Sequence, residues 1–392
     1  MQKPTILYAS PFNPMQSGIS DYSEVLVKAL QEKYDITLLV RGYRLSNQQL
    51  TESCKVLDYD RDTIPYHSFD YIIYNIGNQP AYHDYIYQCC LEHPGLIILH
   101  DFSLYFLFVG VHGYKGDFMG AIYELEGAKG IHRIKDTVRK EHHGLLECKN
   151  LPSVMPLNHE ILQSGNKIMV HSEYTYHKIM ETGYVKEENV RKINHIALVD
   201  NTTDYMSKEE LFALYNIPND AIILASFGFI SNTKLNHVVC KVISKLASQL
   251  EQKVCYVMVG EGTYVDEYVD DKVIFKTGYT ELIEFNSFIK YSDIIINLRH
   301  PSMGETSGAL IRILGLGKVC MISDEGWFAE IPDECAIKVR MNGIDQTLED
   351  KITELIQYPE KRMEYEKNAK NYISSEYSGE IIVHQIADFL DS

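Results

Sequence analysis

Three side chains of different chemistry stand just beyond short apolar segments of the chain: His100, Lys234 and Glu305. A lysine in such a position can neutralise a phosphate group, and a histidine can contact a polar ligand. A carboxylate beside a phosphate is unfavourable unless it binds hydroxyl groups instead. The three residues therefore predict a site for a ligand that carries both phosphate and hydroxyl groups. Each also has a plainer interpretation: a surface lysine, a solvated loop glutamate and a hydrogen-bonded core histidine.

Small residues stand near these side chains, in loops that open helices. Ser17-Gly18-Ile19-Ser20 follows the first apolar segment, and Pro301–Gly308 precedes the apolar helix Ala309–Leu314. Glycine lets the backbone approach a phosphate, and a helix start supplies free N–H groups and a positive dipole. A plain tight turn is the alternative for the first loop. The ligand-binding candidates are Gly18, Ile19, Asn232, Gly278, Gly304, Thr306, Ser307, Gly308 and Arg312.

The elements that must position these residues are short, nearly continuous apolar segments that alternate with helical patterns. Such segments are typical of parallel strands covered by helices on both faces, and the alternation predicts doubly wound α/β units. Ligands of these folds bind beyond the carboxyl ends of the strands, which is where the candidates stand. Strands are predicted at Ile6–Ala9, Ile36–Val40, Tyr71–Ile76, Leu96–His100, Lys167–His171, Ala221–Phe227, Val254–Gly260, Val273–Phe275, Ile294–Leu298 and Val319–Ser323.

The length of 392 residues predicts two domains, at 1–200 and 201–392. The polar segment Asp200–Asp204 marks the boundary, and residues 110–160 form an elaboration of the first domain. A final helix at about 360–390 is free to pack back on the first domain. The first helix carries Tyr22, Leu26 and Leu30 on one face, and Ser20 or Asp21 can cap its start.

Composition and charge narrow the class of partner. The net charge of −17 disfavours nucleic-acid binding, which needs lysine and arginine, and also strong docking on an anionic membrane. No stretch approaches the roughly 18 apolar residues of a membrane span. The segment Ile6–Ala9 is too short for the core of a signal peptide. We expect a cytoplasmic protein, and peripheral association with the inner face of the cell membrane stays open.

No metal site is predicted. The 8 cysteines include no C-x-x-C pair and are predicted to be reduced, mostly buried thiols. Asp58-Tyr59-Asp60 matches a D-x-D metal-binding pattern, but acidic turns of this kind are common. His132 and His142-His143 lack the spacing of a zinc site. Gly260-Glu261-Gly262 lacks the third glycine of a dinucleotide-binding fingerprint, because Val265 stands there.

Taken together, these segments resemble glycosyltransferase family 4, and their order and spacing agree over about residues 5–335. Five segments carry the resemblance. They are Ser10–Tyr22 for the opening strand and glycine loop, Leu96–Asp101 for the strand that ends in the active-site histidine, Ile168–Ser172 near the end of the first domain, Gly228–Lys234 for the phosphate-binding lysine, and Glu305–Asp324 for the donor-binding carboxylate, helix and strand.

The resemblance implies a retaining, hexosyltransferase-type enzyme with the GT-B fold: two Rossmann-like doubly wound domains facing a cleft. The donor would be a nucleotide diphosphate sugar held by the C-terminal domain, and the acceptor a glycan or lipid-linked saccharide. Lys234, the Gly18 N–H and the loop after Glu305 would stabilise the leaving diphosphate, and His100 would contact the donor sugar. No metal or other cofactor is implied. Bacterial surface-polysaccharide assembly is the expected setting.

Two positions depart from the family pattern. The second glutamate, about eight residues after the first, is replaced by Ile313, or by Arg312 if one residue is skipped. Phe229 stands near the place of the arginine that accompanies the lysine, and Arg299 or Arg312 are the candidates to replace it. Two other functions therefore stay open: another GT-B enzyme, such as a nucleotide-sugar epimerase or a phosphorylase, and a degenerate non-catalytic binding module. The sequence indicates no oligomeric state.

Overall fold

The computed structural model describes residues 3–148, 150–199 and 203–392. The chain divides into two compact units. One comprises Met1–Ile196, Met303–Thr306 and Gly379–Ser392, and the other comprises Ala197–Ser302 and Ser307–Ser378. Of the polar segment Asp200–Asp204, which the sequence predicts as the boundary, residues 200–202 lie outside the described part of the chain.

The first unit is built on a seven-stranded parallel sheet. Its strands, numbered with the others in chain order, are β1 (Thr5–Ala9), β2 (Asp35–Val40), β3 (Lys55–Asp58), β4 (Tyr71–Ile76), β5 (Leu96–Leu99), β6 (Lys167–Val170) and β7 (Val190–Lys192). The spatial order is β3-β2-β1-β4-β5-β6-β7. The chain therefore reverses its direction of travel between β1 and β4, and ligands of open α/β sheets bind at such a switch point.

The second unit repeats this plan with six parallel strands. They are β8 (Ile222–Phe227), β9 (Val254–Val259), β10 (Ile274–Gly278), β11 (Ile294–Asn297), β12 (Cys320–Ser323) and β13 (Ile337–Val339). Their order is β10-β9-β8-β11-β12-β13, so the switch point lies between β8 and β11. Both units have the strand order of a Rossmann-like sheet, which confirms the predicted fold class.

Helices connect and cover the strands. They are α1 (Gly18–Leu30), α2 (Gln48–Ser53), α3 (Pro80–Glu92), α4 (Tyr105–Lys115), α5 (Phe118–Glu141), α6 (Leu151–Val154), α7 (His159–Leu162), α8 (Glu173–Thr182), α9 (Lys208–Leu214), α10 (Asn236–Gln249), α11 (Leu282–Tyr291), α12 (Gly308–Gly315), α13 (Ile344–Gln357), α14 (Pro359–Glu376) and α15 (Gly379–Asp391). Side chains of β9 alternate between two core clusters, one with α11 and α12 and one with α10 and α13. This double coverage explains the continuous apolar character of the strands.

Helix α1 starts earlier than the sequence predicts. Ser17, rather than Ser20 or Asp21, is the N-cap, because its hydroxyl accepts a hydrogen bond from the Ile19 N–H. The Ser20 hydroxyl is used differently and donates to the Met15 carbonyl at 2.7 Å. Gly18 is therefore the first residue of the helix, directly after the loop that follows β1.

Among the described residues, four helices, α4 to α7, stand between β5 and β6, in the stretch that the sequence sets apart from the α/β alternation. Tyr105, Phe108 and Ile122 form a separate core cluster there with neighbouring side chains. Helix α5 is interrupted at Gly127, whose φ of 63° lies outside the helical range. No helix in the described part of the chain is both long enough and apolar enough to cross a bilayer. All eight cysteines are described, and each is a buried free thiol.

Helix α15 packs within the first unit, although the chain has passed through the second unit before reaching it. Lys167 donates hydrogen bonds from Nζ to the Phe389 and Leu390 carbonyls, at 2.8 Å and 3.2 Å. The Arg191 guanidinium lies 4.5 Å from the centre of the Phe389 ring. The apolar face of α15 is buried, at Ile382, Val383, Ile386, Ala387 and Phe389.

Candidate functional site

The loop after β8 holds Lys234 over the carboxyl end of that strand. Gly228 begins the loop with a φ of +82°, and residues 232–234 form a single 3-10 turn. The partly buried Lys234 donates a hydrogen bond from Nζ to the Phe227 carbonyl at 2.5 Å. Phe229 is 67% exposed at the tip of the loop. The ammonium group is therefore held at the switch point of the second sheet, where a bound anion would be expected.

Arg299, which follows β11, reaches the same loop. Its Nη1 donates to the Thr233 hydroxyl at 2.9 Å, and the N–H of His300 donates to the Thr233 carbonyl at 2.7 Å. Thr233 therefore joins the carboxyl ends of β8 and β11, and it brings a guanidinium to the loop that carries Lys234. Of the two arginines that the sequence offers as partners of the lysine, Arg299 is the one in this position.

The loop after β9 supports the lysine loop through close backbone packing. A Cβ on Gly260 would lie 2.3 Å from the Gly228 carbonyl oxygen, and one on Gly262 would lie 2.3 Å from the Ile230 carbonyl oxygen. The Ile230 N–H also donates to the Glu261 carbonyl at 2.6 Å. The two glycines thus have a structural reason, which is the approach of two loops rather than dinucleotide binding.

Asn232 and Gly278 lie at the same edge of the second sheet. The Asn232 side-chain oxygen accepts a hydrogen bond from the Tyr264 hydroxyl at 2.7 Å. Gly278 ends β10 with a φ of +76° and pairs with Gly260 in an isolated bridge. Tyr279, the next residue, is 50% exposed.

The loop around Glu305 is ordered by its own carboxylate. Glu305 Oε2 accepts a hydrogen bond from the Met303 N–H at 2.7 Å, and Gly304 adopts a φ of +86°. The partly buried Thr306 follows, and Ser307 caps α12 by accepting a hydrogen bond from the Leu310 N–H at 3.1 Å. Gly308 is the first residue of the helix, and it has no side chain that could cover the backbone N–H groups of the first turn.

Arg312, a ligand-binding candidate from the sequence, has a guanidinium that contacts protein groups in this structure. Its side chain is buried, and Nη1 donates to the Leu198 carbonyl at 2.9 Å and lies 3.4 Å from Asn286 Oδ1. Ile313, at the strict spacing of the family's second glutamate, is fully buried in the core. Neither position offers a carboxylate.

In the first unit, Gly18 and Ile19 open α1 beside the end of β4. No atom would lie within 4 Å of a Cβ placed on Gly18, so this position borders open space. Ile19 instead covers Gly77, where an added Cβ would lie 2.5 Å from Ile19 Cδ1. Asn78 follows, and its N–H donates to Asp101 Oδ2 at 2.9 Å. Loops after β1, β4 and β5 therefore meet at this switch point.

His100 follows β5 and is held by β4. Its N–H donates to the Ile76 carbonyl at 2.9 Å, and its Nε2 lies 2.9 Å from Asn75 Oδ1. Burial, together with the nearby His171, His195 and His83, lowers the pKa of His100 well below its usual value. The ring is therefore neutral at neutral pH, and it can form hydrogen bonds without carrying charge.

Two more histidines continue the row along the sheet edge. His171 directly follows β6, and His195 stands shortly after β7. The buried Tyr22 of α1 packs edge-on against all three rings, with centroid distances of 4.8 Å to His100, 5.2 Å to His171 and 4.6 Å to His195. Burial lowers the pKa of His171 to about 4. Sequence reasoning did not assign His195 or Asn75, although each stands at or just beyond a strand end.

The D-x-D pattern is a turn at the edge of the first sheet. Asp58 Oδ1 accepts a hydrogen bond from the Asp60 N–H at 3.0 Å, and Oδ2 accepts one from the Gly42 N–H at 3.1 Å. The carboxylate thus stabilises backbone of β3 and its neighbour. Within the described ranges, no three histidine, cysteine, aspartate or glutamate side chains are grouped so as to hold a metal ion.

Two Rossmann-like sheets with polar side chains gathered at their carboxyl ends define an α/β protein of the GT-B class. Solved structures agree. Anabaena Alr3699/HepE, in complex with UDP and glucose, is 14% identical with a TM-score of 0.64 over 99% of both chains. The sucrose-phosphate synthase of Thermosynechococcus elongatus is 15% identical with a TM-score of 0.65, covering 99% of this chain and 98% of that one.

A glycosyltransferase of Rickettsia africae is 14% identical with a TM-score of 0.64, covering 100% of this chain and 98% of that one. No protein-family profile matches the chain, and no curated protein does. At these identities the similarity shows the fold, which is GT-B.

Proposed function

We propose that this protein is a glycosyltransferase that moves a sugar from a nucleoside diphosphate sugar to a glycan or lipid-linked acceptor. One observation carries the proposal: Lys234 is held at the carboxyl end of β8, and Arg299, which follows β11, donates a hydrogen bond to Thr233, the residue next to Lys234. A lysine and an arginine at a switch point suit a diphosphate, because both cations form charge-assisted hydrogen bonds with phosphate oxygens. The GT-B fold and the structural neighbours with bound UDP support the same donor class.

Five of the candidate residues then have a defined role. Lys234 and Arg299 stabilise the charge that develops on the departing diphosphate, and the N–H groups at the start of α12 add to this stabilisation. Glu305 binds hydroxyl groups of the sugar, and His100 contacts the sugar near the reacting carbon. The Gly18 N–H contributes a further donor to the phosphate. These cations and dipoles can replace a metal ion, so the proposed reaction is metal-independent.

The finer assignment rests on the sequence resemblance. On that basis we assign the protein as a retaining, hexosyltransferase-type enzyme of glycosyltransferase family 4. In such an enzyme the acceptor attacks from the face that the diphosphate leaves. No pair of carboxylates in hydrolase roles is needed for this route. The proposed setting is the cytoplasm or the inner face of a bacterial membrane, in the assembly of surface polysaccharide.

Thermal unfolding in the presence of nucleotides tests the donor class. A ligand that binds only the folded protein raises the Tm by mass action. We expect nucleoside diphosphates and at least one nucleoside diphosphate sugar to raise the Tm, and nucleoside monophosphates to raise it less. Absence of any effect across a panel of nucleoside diphosphate sugars would contradict the proposal.

Product analysis with the stabilising donor then separates the remaining functions. A transferase forms a new glycoside only when an acceptor is present. An epimerase releases nucleotide without an acceptor, a phosphorylase requires inorganic phosphate, and a binding module leaves the donor unchanged.

A further inference from the structure

Asn75 lies one residue before the end of β4 and is fully buried. Its side-chain oxygen lies 2.9 Å from His100 Nε2, and its backbone carbonyl lies 3.0 Å from His83 Nδ1. The position is central in the first sheet, since β4 lies between β1 and β5. Burying a carboxamide in a strand costs free energy unless the group forms hydrogen bonds. The contact with His100 supplies such a hydrogen bond to the side-chain oxygen of Asn75.

The hydrogen bond determines which ring nitrogen of His100 carries the proton. A carboxamide oxygen only accepts, so Nε2 must be the donor. In a neutral imidazole the other nitrogen, Nδ1, then has a lone pair and acts as an acceptor. Tyr22 packs edge-on against the same ring at 4.8 Å and restricts its rotation. Asn75 and Tyr22 together fix both the plane of the ring and its tautomer.

We propose that Asn75 is a positioning residue, which holds His100 in the Nε2-protonated form so that Nδ1 accepts a hydrogen bond from a hydroxyl of the bound sugar. The proposal rests on the proposed function, in which His100 contacts the donor sugar. Asn75 acts only through His100. In this arrangement His100 neither gives nor takes a proton. Its Nδ1 favours a sugar that places a hydroxyl group against it over a sugar that places a hydrogen-bond acceptor in the same position.

The surroundings of the ring favour this neutral form. The titratable groups that face it are His83 on α3, His171 beyond β6, His195 beyond β7 and Tyr22 on α1, and Asp101 follows it in the chain. The Tyr8 hydroxyl of β1 faces the Asn75 amide. Burial of the His100 ring opposes its charged form, so the neutral ring persists over the physiological pH range.

Proton–nitrogen correlation NMR of the whole protein tests the tautomer without any assay of activity. The His100 signals are identified by their loss in His100→Gln. We expect the spectrum of an Nε2-protonated neutral ring at neutral pH. A ring protonated on Nδ1 would mean that the Asn75 amide faces His100 with its NH₂ group, and it would overturn the proposal.

Asn75→Asp tests the control that this position has over the ring. A carboxylate against Nε2 stabilises the imidazolium, so the midpoint of the His100 titration rises by about one pH unit or more. Asn166→Asp is the matched control, because Asn166 is also buried in the first unit but bonds to the Gly95 N–H and the Cys90 carbonyl instead. An unchanged midpoint in Asn75→Asp, or an equal rise in both variants, would contradict the proposal.

Activity supplies a second readout. Below its raised midpoint, Asn75→Asp should lose about tenfold in kcat/KM for each pH unit, because an imidazolium has no lone pair to accept a hydrogen bond from the sugar hydroxyl. If wild-type protein transfers no sugar but the NMR results hold, the proposed function fails and the positioning role of Asn75 stands. If transfer occurs while the His100 titration ignores Asn75→Asp, the positioning role fails and the transferase stands.

Discussion

Lys234 is the residue on which the proposed chemistry depends most directly. Its replacement by alanine removes the ammonium group that Phe227 holds at the end of β8, and with it a cation for the leaving diphosphate. We expect Lys234→Ala to lower kcat by about 100-fold, as the loss of one preorganised donor does elsewhere, and to weaken the binding of free nucleoside diphosphate. Turnover assays and calorimetric titration measure the two effects.

The control for this variant is Lys253→Ala. Lys253 stands just before β9, at the amino-terminal edge of the same sheet, where it pairs with Asp220 at 2.7 Å. Its removal should leave turnover unchanged, because the amino ends of the strands are not where ligands bind. Equal losses in the two variants would point to a general effect of charge or stability.

The variant Glu305→Gln tests whether Glu305 binds the sugar part or the nucleotide part of the donor. Glutamine keeps an oxygen that can accept from the Met303 N–H, so the loop should retain its form while the negative charge is lost. We expect the affinity for the nucleoside diphosphate sugar to fall by about tenfold, because hydrogen bonds to a charged acceptor are the stronger ones. Affinity for the free nucleoside diphosphate should change little, and titration with both ligands distinguishes these outcomes.

At the scale of single residues, the sequence shows which side chains stand in strand-end loops, but it does not show which groups those side chains contact. Lys234 and Glu305 stand in strand-end loops, which any reader of the pattern can identify. Arg312 occupies a suggestive place in the helix, yet its guanidinium satisfies the Leu198 carbonyl. Its direction depends on packing between α12 and α11, which spacing along the chain does not encode. Asn75 escapes notice because a polar residue inside an apolar strand has meaning only once His100 is beside it.

Among the elements, the paired loops after β8 and β9 pack too closely to accept a side chain at Gly260. A methyl group on Gly260 would lie 2.3 Å from the Gly228 oxygen, and Gly260 has a φ of +153°. We expect Gly260→Ala to reduce the free energy of unfolding by about 1–3 kcal/mol, since backbone must move to relieve the clash. Gly18→Ala serves as the comparison, because the space beside Gly18 is open. It should change stability by less than about 0.5 kcal/mol in denaturant unfolding.

The end of α4 is joined to α7 by an ionisable contact. His112 Nε2 lies 3.2 Å from Glu160 Oε1, and Nδ1 lies 2.9 Å from Asp117 Oδ1. Pairing with Glu160 raises the pKa of His112 although burial opposes it, and Asp117 adds to the rise. A raised pKa means that the folded state binds this proton more tightly than the unfolded state does. The stabilisation is therefore complete below the unfolded pKa of about 6.5 and is lost as pH rises through the folded pKa.

His112→Gln should remove this part of the pH dependence. We expect the Tm difference between wild type and variant to be larger at about pH 6 than at about pH 9, because only the wild type carries the protonated pair at the lower pH. Calorimetry across that range measures the difference. A constant difference at all pH values would show that His112 contributes through packing alone.

Strands with continuous apolar character were predictable, and most edge strands were not. Nine of the ten predicted strands lie inside the two sheets, such as β8 and β9, and the tenth is the edge strand β10. The described structure adds β3, β7 and β13, which lie at sheet edges and are three or four residues long. Edge strands face solvent on one side and need little apolar sequence, so their pairing arises from the neighbouring strand rather than from their own composition.

At the scale of the whole molecule, the two sheets have similar strand orders but carry different side chains at the carboxyl ends of their strands. The alternation of apolar segments and helices was enough to predict the α/β class, because it reflects coverage of both faces of each sheet. The histidine row of the first unit and the lysine–arginine pair of the second could not be foreseen as groups. Each is assembled by strand order, and His171 and His195 become neighbours only because β6 and β7 are adjacent.

Metal dependence of the proposed reaction is tested on the whole protein. We expect transfer activity to persist in a strong chelator, since protein cations and helix N–H groups are proposed to neutralise the diphosphate. The D-x-D side chain Asp58 is already used by the backbone of its own turn. Activity assays with chelator, with and without added manganese, test this. Loss on chelation with recovery on manganese would remove the metal-independent mechanism.

The position of α15 has a consequence for how the chain matures during translation. Residues 379–392 belong to the first unit, where the Phe389 carbonyl accepts a hydrogen bond from Lys167 and the Phe389 ring lies against the Arg191 guanidinium. These residues nevertheless leave the ribosome after the whole second unit. Until these residues are synthesised, the amino-terminal unit therefore lacks α15. The apolar surface that Ile382 and Ile386 later cover is still exposed to water. Nascent chains halted before residue 379 should be more sensitive to protease in their first 196 residues than completed chains are. A separately added peptide of residues 379–392 should restore part of that resistance.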